Sequence, residues 1–245
     1  MKRFTLILLT VLSTVACRKV TAEQQIAKIA AYFDKQDNAC FENLSRHEGQ
    51  KRLDYLTLTL AKEIGATDLW SLENAGENSL VAEFPGRENQ QGRFSLLSAS
   101  LDDPAACATV LNTLRSFKDL RIKPKGNIRA LFYSAAQDSA GQSGLGAIFQ
   151  EMHEAGEMIT FEVALSSCDT MPKHTFLIED KSFFAEQILQ VIPPYLESLG
   201  SFHFLQGRYP NPNWPVKAPV YRYSLDPAAI QKESAAVSTF SFLLN

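Results

Sequence analysis

Residues 127–134, Asn-Ile-Arg-Ala-Leu-Phe-Tyr-Ser, form a near-continuous apolar run. Such a run is expected of a β-strand buried on both faces, and a strand of that kind needs a packed layer on each side of its sheet. The neighbouring segments meet that need. Ser79–Phe84 and Arg93–Leu101 read as strands, the first closed by Pro85-Gly86. Pro104 suits the first turn of a helix running to about Phe117. Beyond the central run, a helix is expected over Gly144–Glu154, strands over Thr160–Leu165 and His174–Ile178, and a long helix over Ser182–Leu199 interrupted at Pro193-Pro194. Pro219–Tyr223 is a last strand and Pro227–Leu244 a closing helix. Strands alternating with helices predict a three-layer α/β/α architecture around a mixed central sheet. Upstream, Ile26, Ile29, Ala30 and Phe33 recur at helical spacing, and Leu53, Leu56, Leu60 and Ile64 mark a second amphipathic helix ended by Gly65.

The N-terminus carries a different signal. Lys2 and Arg3 precede an apolar run, Phe4–Ala16, that is too short to span a bilayer and ends at Cys17. Residues 1–16 are therefore expected to be a signal peptide. Thr14-Val15-Ala16-Cys17 resembles the lipobox of bacterial lipoproteins, with Thr14 where leucine is usual. The resemblance implies a lipidated Cys17 as first mature residue, a partnership with a bilayer, and a place in the cell envelope. Ordinary cleavage after Ala16 or Ala22, releasing a soluble protein, is the alternative. Residues 17–44 then form the tether and first helix, and 45–245 the α/β domain. Removing residues 1–16 moves the formal net charge from −3 to −5, and no basic stripe interleaved with aromatics points to nucleic acid. Cys40, Cys107 and Cys168 allow at most one internal disulfide, and at least one of them is expected to be a buried free thiol.

Three blocks together resemble the zinc aminopeptidase family that includes bacterial leucyl aminopeptidases, aminopeptidase Y and glutaminyl cyclases. Residues 78–86, NSLVAEFPG, match the family's "NVIAEIPG", and 97–103, LSASLDD, stand where it has "GAHLDS". Residues 122–132, IKPKGNIRALF, match its lysine-proline turn and "TIRFVLF". Residues 221–227, YRYSLDP, stand where it has "YHTPDDT" before the final helix. Residues 46–65 also resemble the start of related di-zinc peptidases that cut dipeptides and tripeptides, which share the core fold.

Enzymes of this family use paired zinc ions to polarise a carbonyl and generate hydroxide. The resemblance implies a histidine and a carboxylate on each ion, a bridging aspartate, and a glutamate as general base. Carried over position by position, most of this set is missing. Ser100 replaces the histidine of "GAHLDS", Asp102 matches the aspartate that would orient it, and Asp103 stands for the bridging aspartate without the intervening loop. The Glu-Glu pair falls on Ala135 and Ala136, the next aspartate on Ser166 (with Asp169 nearby), and the last histidine on Arg222, whose guanidinium cannot ligate a metal. His203 lies in a stretch resembling "SDHxxF", which the family uses near the site. The expectation is a catalytically inactive member with no cofactor and a binding or scaffold role toward a protein or peptide. An active metal-dependent aminopeptidase or glutaminyl cyclase-like enzyme, holding zinc, is the alternative. Arg222 is further expected to pair with Asp102 or Asp103 in place of metal, since buried carboxylates need a cation. The glycine-rich stretch 141–146 lacks the pattern of a nucleophile elbow or a phosphate loop. His47, His153 and His174 lie on separate elements with no i+4 ligand partner.

Overall fold

The computed structural model describes residues 22–65, 68–70, 79–88, 91–134, 144–167, 171–178, 183–207 and 219–245. Its strands are β1 (Asp68–Trp70), β2 (Leu80–Phe84), β3 (Arg93–Ser100), β4 (Asn127–Tyr133), β5 (Met158–Ser166), β6 (Thr175–Ile178), β7 (His203–Gln206) and β8 (Val220–Ser224). Its helices are α1 (22–33), α2 (Ala39–Arg46), α3 (Gly49–Thr59), α4 (Pro104–Asp119), α5 (Gly144–Glu154), α6 (Phe183–Val191), α7 (Pro193–Leu196) and α8 (Ile230–Leu244).

The strands form one mixed sheet in the order β1-β2-β4-β3-β5-β8-β6-β7. The four central strands β4, β3, β5 and β8 run parallel, while β2 and β6 flank them antiparallel. From β3 the chain crosses through α4 to β4, then turns back past β3 through α5 to β5. Right-handed crossovers in opposite directions place their helices on opposite faces, and the packing agrees. On one face Leu97, Val163 and Tyr221 join a core with Leu111 and Leu114 of α4 and Phe240 of α8. On the other, Phe94, Leu96 and Leu131 pack against Ile148, Phe149 and Met152 of α5. The predicted α/β/α layering is the observed one. Ile29, Phe33, Cys40 and Leu44 enter the first core, so α1 and α2 pack as part of the same body.

Helix α4 explains why its sequence is so rich in small residues. It packs on the sheet beside α8 with Ala105–Leu114 buried, and Asn112 and Ser116 bond Ser234 and Ser238 of α8 at 3.3 and 3.2 Å. On the α5 face the polar anchor is Arg129, bound to Glu83 at 2.8 Å and Glu157 at 2.5 Å, with its guanidinium 3.8 Å over the Phe94 ring.

The boundaries of β4 and α5 fall where the apolar run and the glycine turn place them. The helix expected to end at Gly65 does so, closing in a π-helical turn, Leu60–Ile64, with Gly65 left-handed at φ +69°. Three elements differ from expectation. A separate α2 follows α1, and β1 and β7 add short outer strands. The outer strands escape sequence reading because three or four residues carry no measurable period, and β7 is largely exposed on both faces.

Candidate functional site

In a sheet whose crossovers diverge beside β3, the ends of the strands around that switch point frame a crevice. The C-terminal ends of β3, β5 and β8 there deliver Ser100 to Asp103, Ser166 and Ser167, and Ser224 to Asp226. Among the described residues, those matched to the zinc ligands by sequence are thus brought to one edge, except Arg222, which lies within β8. Ala135, Ala136, Asp169 and Cys17 lie outside the described residues.

Asp103 is buried and caps α4, with Pro104 in the first turn. Its Oδ1 accepts from the Ala106 amide at 3.0 Å and from the Ser167 hydroxyl at 2.8 Å, and its Oδ2 accepts from the Ser167 amide at 2.5 Å. The carboxylate therefore ties the end of β3 to the end of β5 and has most of its acceptor capacity taken by protein donors. Ser100 forms a local turn, its hydroxyl accepting from the Asp102 amide at 3.2 Å. Asp102 is exposed.

The cation behind this acidic corner is Arg52. Its side chain is buried and donates to the carbonyls of Leu44, at 3.0 Å, and Leu101. Asp103 and Arg52 pull the Cys107 thiol in opposite directions. Burial dominates, pushing Cys107 far above the ordinary thiol range and Cys40 up to about 11. Both are free, buried and therefore inert thiols, as expected of at least one cysteine.

Arg222 does not meet Asp102 or Asp103. Tyr221 and Tyr223 point to the α8 face, where Tyr221 stacks edge-on with Phe240 at 5.4 Å. Alternation along the strand sends Arg222 to the opposite face, the one carrying Glu162, whereas Asp103 caps a helix on the tyrosine face. The expected charge exchange at the metal position is corrected accordingly: the Ala106 amide and both donors of Ser167 satisfy the buried Asp103 instead.

A second cluster at this edge was not anticipated. Antiparallel pairing of β6 with β8 brings His174 beside Ser224, whose carbonyl accepts from the His174 amide at 2.9 Å. His174 has φ +60°, a sparsely populated conformation for a residue other than glycine. Its Nδ1 is 2.5 Å from Glu233 Oε1 but off-line for a hydrogen bond, and its Nε2 is 4.0 Å from Asp226. Glu233, fully buried on α8, also accepts from the Tyr223 hydroxyl and from the Asp226 amide at 3.1 Å. Burial raises the Glu233 carboxyl above its ordinary range, against the pull of the Tyr223 bond and His174. Burial and Glu233 together hold Tyr223 well above the usual phenol range, so it stays a donor. The one sequence signal was an acid on a helix otherwise apolar or small on its inner face, Ile230–Leu244.

These residues do not fit a di-zinc centre. Ser100 is a weak neutral ligand, Asp103 is turned inward, Arg222 bears a fixed positive charge on the other face, and Ala135 and Ala136 have no donor atoms. Among the described residues no group of three or more His, Cys, Asp or Glu could hold a metal ion.

No protein-family profile matches the sequence, and no characterised protein matches it at the sequence level. Solved structures do match the fold. A glutaminyl cyclase from Macrostomum lignano superposes with a TM-score of 0.61 at 12% identity, covering 87% of this chain and 91% of its own. A structure from Bacteroides vulgatus, assigned as a Zn-dependent exopeptidase, gives 0.56 at 14% identity over 90% and 94%. A peptidase M28 precursor from Shewanella amazonensis gives 0.51 at 18% identity over 68% of this chain, which spans only 44% of that protein. The fold is that of the zinc exopeptidases and glutaminyl cyclases, as the sequence blocks implied.

Proposed function

We propose that this chain is a catalytically inactive zinc-exopeptidase-fold protein, anchored in the bacterial cell envelope through a lipid on Cys17, that binds a protein or peptide partner or serves as a scaffold. The observation that carries the reading is the engagement of Asp103. The side chain matched to the metal bridge is spent on the Ala106 amide and on both donors of Ser167. A carboxylate so used stiffens the crevice, and Ser100, Ala135 and Ala136 supply, by residue type, no replacement for the missing ligands and base. The anchoring part rests on the apolar run ending at Cys17.

The test is metal content together with turnover. The purified protein is expected to carry sub-stoichiometric zinc and to show no chelator-sensitive hydrolysis of aminoacyl p-nitroanilides or cyclisation of an N-terminal glutaminyl peptide, with or without added zinc. Stoichiometric zinc with chelator-sensitive turnover would make it a metal-dependent aminopeptidase or glutaminyl cyclase-like enzyme instead. Cys17→Ala is expected to remove the acyl mass and shift the protein from the membrane to the soluble fraction.

A further inference from the structure

The opposite edge of the sheet, where β3, β4, β5 and β8 begin, has a different character. The turn after β2 is zipped to the turn before β4, with the Arg87 and Glu88 amides donating to the carbonyls of Pro124 and Lys125 at 2.9 and 3.0 Å. The two backbones cross so closely that a Cβ on Gly86 would lie 2.2 Å from the Gly126 carbonyl oxygen. This rigid crossing presents Arg87 and Lys125 beside Arg121 and Lys123, around one broad concavity in which Glu88 is the one acidic side chain among the described residues. All four cations are exposed, and only Lys125 approaches Glu88, at 3.9 Å. A cluster of this sign stands out on a chain whose net charge is negative. An adjoining cavity of about 660 Å³ adds Arg93 and the exposed Val191 to the same edge.

Two further observations identify what this edge meets. Ala22 and Gln25, in the first turn of α1, line the same concavity, so Ala22, five positions after Cys17, lies among these cations. The five residue steps from Cys17 to Ala22 reach at most about 18 Å, and they pass Arg18 and Lys19. The second is the backbone of Arg121. The Ile122 amide bonds the Phe117 carbonyl at 2.8 Å and the Arg121 amide the Lys118 carbonyl at 3.0 Å, a Schellman closure of α4. It puts Arg121 at φ +56°, where glycine is the favoured residue. An arginine kept at a glycine position gives up stability and adds a charge to this face.

We propose that the edge bearing Arg87, Arg121, Lys123 and Lys125 docks on the surface of an anionic lipid bilayer, so that the crevice at the opposite edge faces away from the membrane. This rests on the reading of Cys17 as an anchor only for the direction of the tether; the charge complementarity stands on the four side chains. A single acyl chain binds reversibly, and a basic patch is the kind of second signal that makes attachment stable.

The test uses the mature chain carrying Cys17→Ala, titrated with phosphatidylcholine vesicles and with the same vesicles containing roughly one third phosphatidylglycerol. Binding to the anionic vesicles is expected to be about tenfold tighter or more, and to weaken with salt. Arg87→Glu with Lys123→Glu should abolish the preference without changing the melting temperature. Arg121→Gly should lose about fivefold in binding while melting about 2 °C higher, which separates docking from folding. Equal binding to both vesicles, or a preference that survives the charge reversals, overturns the proposal. The anchor is judged separately by the acyl mass of the native protein: its absence defeats the lipidation reading and leaves the vesicle ratio to decide this one.

Discussion

The two edges of the sheet use charge in opposite ways. At the C-terminal edge Asp103 and Glu233 are buried and turned inward, each holding several donors of its own chain. At the N-terminal edge Arg87 and Lys125 stand exposed on a backbone crossing held by main-chain bonds, with Arg121 and Lys123 exposed beside it. A buried charge is tolerated only when its partners are supplied by the fold, so it becomes part of the fold. An exposed one adds little to stability and stays available for something outside the molecule.

The contrast predicts a ladder of effects. Asp103→Ala should be the most costly change, about 3 kcal/mol in urea unfolding, because it removes a helix cap and strands the buried amides of Ala106 and Ser167. A loss well under 1 kcal/mol would mean the corner is not structural and would reopen a ligand role. Asp103→Asn, which keeps one acceptor, should fall between.

Glu233 comes next, through pH. Its folded-state carboxyl lies above its unfolded value, chiefly from burial, so the folded chain holds the proton more tightly. The stability linked to that proton is fully present below the unfolded carboxyl range, about pH 4, and is lost as pH rises through the folded value. Glu233→Gln, which retains an acceptor for Tyr223, should remove this dependence. The melting-temperature difference between variant and parent should therefore widen in the variant's favour from acid toward neutral pH. A difference that stays flat would show that the carboxyl is not raised.

Arg87→Ala and Lys123→Ala sit at the bottom, within about 0.5 kcal/mol of the parent in the same unfolding assay. A larger loss from either would show that the basic edge is a structural feature after all, and would remove the contrast.

Much of the architecture was legible because its signals are local. An apolar run at 127–134, Pro-Gly closure after Phe84 and glycine at 65 punctuate the chain within a few residues of the elements they define. The site was legible in part. Ser100 and Asp103 could be placed at one edge, because motif order fixes which strand ends meet. That Arg52 would be buried against the carbonyls of Leu44 and Leu101 was hidden, since it reads as one polar position on an amphipathic helix. His174 and Glu233 were equally hidden, lying nearly sixty residues apart on elements brought together when β6 pairs with β8.

Residue identity alone determined what the positions matched to the family's ligands can offer: alanines at 135 and 136 carry no side-chain donors, and an arginine at 222 cannot ligate wherever it points. Direction was decided by the tertiary structure. Whether Asp103 faces a crevice or its own helix, and whether Arg222 joins it or lies across the sheet, depends on strand alternation and helix placement. Those follow from burying both faces of one mixed sheet, a condition met only by the whole chain at once.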